Sequence, residues 1–394
     1  MSKFEQPSIP EEQLLKPEEK KTEDLQEKSI EEEKLTEREF LFFDKNLNPE
    51  TPPRNQTEKD EQEKAIRILS ETRRRQIPSK IEATGESRIS FEFEGEVEKT
   101  QDETTFIFRM NDWLEKELAE LKLDEKTTLH PQNFHLLPAR VFEGKYPDSP
   151  CAVGVTRRDG IAVKIERPDS KDWDEKLSRF SLMLHEAVHF GSYRKLYFAP
   201  KQEKFGDYRS GYAMRDPHKQ NHIEFNGLNE AVVDKIAIEL FMKHKEEIAR
   251  EFNIPIKQIT ELNLMHYYTS ISFLDHIIQR VAENKKTDTS SVWEKFKKGL
   301  FTGEMMPLRD VEKTFGKNAL RVLSALPSKK EDFTDEVYER FYRFFCGKNK
   351  EEKNIAEKQI LAEINNSETS FEKKDFKSTA ESIPQKEKSE KEII

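Results

Sequence analysis

The segment His185-Glu186-Ala187-Val188-His189 constrains this chain more than any other stretch. From Leu182 to Phe190 the only charged residue is Glu186, so the segment has the character of a buried helix that carries two imidazoles and one carboxylate. On a helix, residues four apart project about 40° from one another, one turn above the other. His185 and His189 therefore share a face and can hold one Zn²⁺ through nitrogens at roughly 2.0–2.1 Å. Glu186 falls in the neighbouring sector, where it can take a proton from a metal-bound water. The plain alternative is an ordinary helix with solvated histidines. A lone carboxylate on an apolar surface is costly to bury without a partner, and a cation with its water would provide one.

A second helical stretch opens at Gly227-Leu228-Asn229-Glu230-Ala231-Val232-Val233-Asp234 and runs to about Met242. Glu230 and Asp234 are an i, i+4 pair on one face. A catalytic zinc takes three protein ligands and leaves one position for water. Glu230 would complete a His₂Glu set. Asp234, one turn on, is placed to accept the outer N–H of a ligand histidine and fix its tautomer. His218, His222 and Glu224, between the two helices, are alternative third ligands. The two histidines read rather as surface or loop residues.

The order H-E-x-x-H followed by N-E-A-x-x-D resembles the gluzincin branch of zinc metallopeptidases, the thermolysin-like group. The resemblance covers the two helices and little else. It implies zinc ligands His185, His189 and Glu230, general base Glu186, and Asp234 behind a ligand ring. It also implies a Tyr or His that stabilises the oxyanion; Tyr267 and Tyr268 come first, with His266 and His276 behind them. The stretch between the helices is longer than in thermolysin-like enzymes and implies an inserted loop or hairpin. Metzincins place a Gly and then a His beyond the second ligand; here Ser192 and Lys195 hold those positions.

Composition bounds the rest. All 13 glycines fall between Gly85 and Gly347, and the first 50 residues carry 15 acidic and 8 basic side chains. Flanks this polar bury too little apolar surface to offset chain entropy. The expected organisation is a charged, largely disordered region over 1–104, a zincin-like metallopeptidase domain over 105–346, and a charged disordered tail over 347–394. A net charge of −10 argues against nucleic acid as a partner, because phosphate binding needs a basic face. Arg73-Arg74-Arg75 reads as a solvated helix end. No apolar run approaches the roughly 18 residues that span a bilayer, and the N-terminus has no signal-type apolar core. Cys151 and Cys346 lack C-x-x-C spacing, which points to packed thiols in a reducing compartment. The expected location is cytoplasmic.

The expected fold is α+β, mainly helical with a small antiparallel sheet. Residues 106–123 show helical spacing through Trp113, Leu114, Leu118 and Leu121. His130 to Phe142, with two prolines, reads as extended or irregular, and His130 and His135 as structural. Cys151–Thr156 and Ile161–Glu166 flank Asp159-Gly160 as a hairpin. Its edge could accept an extended peptide or simply be core. Asp169 or Ser170 can cap the metal helix, whose apolar stripe is Trp173, Leu177, Phe180, Leu184 and Val188. Residues 206–225 read as loop with short strands, able to form a cleft wall. Lys257 to Val281 reads as one long amphipathic helix, 293–326 as shorter helices broken by Gly303 and Pro307, and 333–345 as a last helix.

These readings converge on zinc-dependent hydrolysis of peptide bonds in a peptide or protein substrate, with the charged tails available for partner contacts. Two alternatives stay open. The domain could be a regulatory, sensor or partner-binding unit with narrow or no turnover, or a zinc-stabilised structural unit.

Overall fold

The computed structural model describes residues 40–44, 47–76, 95–124, 129–146, 154–156, 160–166, 172–218, 222–328, 332–347 and 349–381. The chain enters as strand β1 (Leu41–Asp44) and helix α1 (Gln56–Gln76). Leu41, Phe43, Leu47 and Ala65 are buried in a small cluster with Leu196 and Phe198. The folded unit is therefore wider than 105–346. High charge density around Leu41-Phe42-Phe43 concealed a short alternating strand. The disorder expected over 1–39 and 382–394, and Cys151, Asp169 and Ser170, lie outside the described residues.

Helix α2 (Gln101–Glu120) starts at a capping box. The Thr100 hydroxyl accepts the Glu103 N–H at 3.2 Å, and the Glu103 carboxylate accepts the Thr100 N–H at 2.7 Å. Strand β2 (Phe134–Pro138) and helix α3 (Ala139–Lys145) follow. The expected irregular stretch from His130 to Phe142 is thus a strand turning into a helix, because Pro138 occupies the N-cap, where it needs no N–H partner. Strands β3 (Gly154–Thr156) and β4 (Ile161–Ile165) form the anticipated antiparallel hairpin, with Gly154 opposite Val163. Strand β2 joins β4 in parallel, so the sheet order β2-β4-β3 leaves β3 on an edge.

Helix α4 (Trp173–Gly191) carries the H-E-x-x-H segment and is buried continuously from Phe180 to His189. Its Phe180 ring stacks on Phe106 of α2 at 4.1 Å between centroids. Arg179 pairs with Glu103, which ties the cap of α2 to α4. The stretch after α4 is a sheet: β5 (Arg194–Ala199), β6 (Lys204–Ser210), β7 (Ala213–Arg215) and β8 (Ile223–Glu224). With β1 beside β5 it makes a five-stranded antiparallel sheet in the order β1-β5-β6-β7-β8. The stretch between the two motif helices, expected as a loop or hairpin, is thus a sheet.

Helix α5 (Asn226–Lys243) packs its apolar residues on α4 and leads into α6 (Lys245–Phe252) and the single turn α7 (Glu261–Leu264). Then come α8 (Tyr268–Lys285), α9 (Thr289–Thr302), α10 (Met306–Phe315), α11 (Ala319–Ser324), α12 (Asp335–Phe345) and α13 (Lys350–Glu381). The single helix expected over 257–281 is broken twice, at Ile259–Thr260 and at Met265–Tyr267. Gly303 ends α9 in the left-handed region, and Pro307 lies in the first turn of α10. Ala356 and Ile360 of α13 are buried in the main core, so part of the C-terminal flank belongs to the fold. The architecture is mainly helical with small sheets. Among the described residues, no helix is long and apolar enough to cross a membrane.

Candidate metal centre

Helices α4 and α5 pack side by side, and their facing surfaces carry the polar residues singled out in the sequence. The Nε2 atoms of His185 and His189 lie 3.1 Å apart. One carboxylate oxygen of Glu230, Oε2, lies 3.3 Å from the first and 3.1 Å from the second. Two ring nitrogens at this separation face each other with lone pairs unless a proton or cation lies between them. A tetrahedral ion with ligands at about 2.0–2.1 Å has donor–donor edges of about 3.3–3.4 Å. The triangle fits that edge closely. Among the described residues these three form a group able to hold a metal ion.

Burial makes the cluster electrostatically demanding. His185 is 2% exposed, Asp234 1% and Glu186 6%. Burial alone would depress His185, but hydrogen bonds to Asp234 and Glu230 outweigh it and push the ring up to about 10. Burial likewise works against the Glu230 carboxylate, yet His189 and His185 hold it well below the usual carboxylate range. Two buried carboxylates, Glu186 and Asp234, and the partly buried Glu230 around two imidazoles call for positive charge, and a divalent ion meets that need.

The residues behind the donors are as specific as the donors. The Nδ1–H of His185 donates to Asp234 Oδ1 at 3.1 Å, which leaves Nε2 free to ligate. Asp234 Oδ2 accepts two further hydrogen bonds, from the backbone N–H groups of His266 at 2.9 Å and Tyr267 at 3.0 Å. Asn229 had no role in the sequence reading. Its Nδ2 lies 3.5 Å from His189 Nδ1, and its Oδ1 accepts the Tyr212 N–H at 2.9 Å. Gly211, at φ +56°, lies so close to Asn229 Oδ1 that a Cβ there would collide with it. The five-stranded sheet is thereby docked on the ligand helices. The signal for Asn229 was its place beside Glu230 in the first turn of α5.

Glu186 leans away from the donor triangle towards the three-stranded sheet. A Cβ on Gly154 of β3 would come within 2.5 Å of Glu186 Oε1. The carboxylate therefore lies over the face of β3 at Gly154, and β3 is an edge strand of its sheet among the described residues.

The two tyrosines separate. Tyr267 stacks on the His185 ring, with centroids 5.3 Å apart and planes at 21°. The charge of Glu230, together with burial, holds its phenol well above the ordinary value. Tyr268, one residue on, is 62% exposed and takes no part in the cluster. Of the two histidines behind them, His266 turns its Nε2 to Ser181 Oγ at 3.1 Å, and His276 lies edge-on to Tyr342. The alternative third ligands also fall away. His222 and Glu224 approach each other at 3.7 Å near the surface, and His218 packs on Phe40. Cys346 is a half-buried free thiol, pushed up to about 11 by burial.

Comparison with protein families, curated proteins and solved structures finds no match.

Proposed function

We propose that this chain is a zinc-dependent peptidase of gluzincin type, with His185, His189 and Glu230 as metal ligands. The observation that carries the reading is the 3.1–3.3 Å triangle of donor atoms, with the Glu186 carboxylate on the adjoining face of the same helix. Nitrogen and carboxylate donors in this number suit zinc among the common divalent ions, whereas calcium and magnesium favour all-oxygen sets.

When bound, zinc would supply Lewis acidity, lowering the pKa of water to about 7 and polarising a carbonyl. The protein's own groups would do the remaining work. Glu186 accepts the proton of the attacking water and hands it to the departing amine nitrogen. Tyr267, stacked on the His185 ring, supplies the hydroxyl that donates to the charge developing on the carbonyl oxygen. Asp234 keeps His185 in the tautomer that ligates. Among the described residues β3 is an edge strand, its Gly154 in contact with Glu186, and an extended peptide added to that edge as a strand would bring its backbone near the base. Substrate is then a peptide or an extended protein segment.

The deciding experiment combines metal analysis with a peptide-library digest of the wild type and Glu186→Gln. About one zinc per chain in both proteins, with cleavage only in the wild type, is the expected result. Cleavage that survives the substitution removes Glu186 from its role. Zinc binding without cleavage in either protein favours a binding or structural unit.

A further inference from the structure

We infer that Asp234 couples metal loading to the placement of Tyr267, acting as a positioning residue for both; this rests on the metal-site half of the proposed function. One carboxylate does two jobs through two atoms. Oδ1 accepts from the ring of a metal ligand, and Oδ2 accepts from two consecutive backbone N–H groups in another part of the chain.

The second job explains a break that local sequence does not. Residues 257–281 have the amphipathic spacing of a continuous helix, yet the chain breaks twice: at Ile259–Thr260, where Thr260 caps α7, and again after Leu264, re-entering helical geometry at Tyr268. Tyr267 has φ −122° and ψ 45°, and its carbonyl accepts the first helical bond of α8, from Ile271 at 3.0 Å. The N–H groups of His266 and Tyr267, which a continuous helix would direct to carbonyls four residues back, go to Asp234 instead. A buried acceptor on α5 substitutes for the missing turn. This second break turns the Tyr267 ring onto His185.

The coupling follows from geometry. A metal on His185 Nε2 requires the proton on Nδ1 and fixes the ring plane. That plane orients the Asp234 carboxylate, and the carboxylate holds the loop carrying Tyr267. Sites joined through one such element are linked reciprocally: what orders the loop tightens the metal, and the metal orders the loop.

Amide hydrogen exchange over 264–268 tests this on the full-length chain, stripped with chelator and then reloaded with Zn²⁺. In the wild type, reloading should slow exchange of the His266 and Tyr267 amides by about tenfold or more. In Asp234→Asn the same amides should exchange fast with or without zinc, and zinc affinity should fall by about 10–100-fold. Tyr267→Phe, which keeps the ring and the amide, should retain wild-type zinc affinity. Zinc binding without slowing of these amides in the wild type overturns the coupling and leaves the metal site standing. Failure to bind zinc at all overturns both. Because the wild-type comparison decides alone, the result does not depend on Asp234→Asn folding.

Discussion

Gly154 and Glu186 touch across the junction of sheet and metal helix: any side chain at 154 would begin 2.5 Å from the Glu186 carboxylate. The absence of a Cβ at Gly154 is what lets the candidate base lie against the face of β3. Gly154→Ala should therefore displace Glu186 and leave the donor triangle alone. A displacement of about 1 Å costs on the order of 100-fold in rate. Steady-state kinetics beside metal content checks this: kcat should fall by about that factor with zinc stoichiometry unchanged. Loss of zinc together with activity would place Gly154 in the metal site itself.

Zinc affinity should rise with pH. In the metal-free chain His185 keeps its proton up to about 10, against 6.5 for a free imidazole. Ligation displaces that proton, so below pH 10 each unit of pH should raise affinity about tenfold, with one proton released per ion from this ring. The chelated protein should behave oppositely. A raised folded-state pKa gives a stability contribution that is complete below 6.5 and disappears as pH rises through about 10. Calorimetric titration in buffers of different ionisation enthalpy counts the protons, and melting of the chelated chain between pH 6 and 10 follows the stability.

The adjacent tyrosines should differ sharply. Tyr267→Phe removes the hydroxyl beside Glu230 and should lower kcat by roughly 100- to 1,000-fold, the usual cost of one oxyanion donor, with little change in KM. Tyr268→Phe, at a residue 62% exposed, should leave both constants as they are. Equal effects at the two positions would contradict the assignment.

Phe43→Ala tests whether the N-terminal strand is part of the fold. Phe43 is fully buried among Leu41, Leu196 and Phe198, and truncating such a ring costs about 3–5 kcal/mol. Urea unfolding of the full chain should show that loss, or a separate early transition confined to the five-stranded sheet.

The candidate site was legible in the sequence because its residues repeat at helical spacing: His185 and His189 on one helix, Glu230 and Asp234 on the next. Two elements packed face to face bring such pairs together without further information. What escaped depends on contacts between segments far apart. The loop at 265–267 is held by a carboxylate more than thirty residues earlier, so no local pattern distinguishes Tyr267 from Tyr268. Strand β1 hides in a charged flank because its partner β5 supplies the other half of its core. Strand β5 itself, Arg194-Lys-Leu-Tyr-Phe-Ala199, alternates weakly, with Lys195 lying over the Phe42 ring and bonded to Glu50.

The pairing of β1 with β5 has a consequence for how the molecule assembles. Leu41 meets Phe198 across about 150 residues of intervening chain, so this ladder closes late, after the helices have found one another. Until it closes, β5 presents an open row of amides and carbonyls only two residues beyond the metal helix. Chains clipped after Asp44, and so lacking β1, would keep that edge bare and join through it, strand to strand, into dimers and larger aggregates.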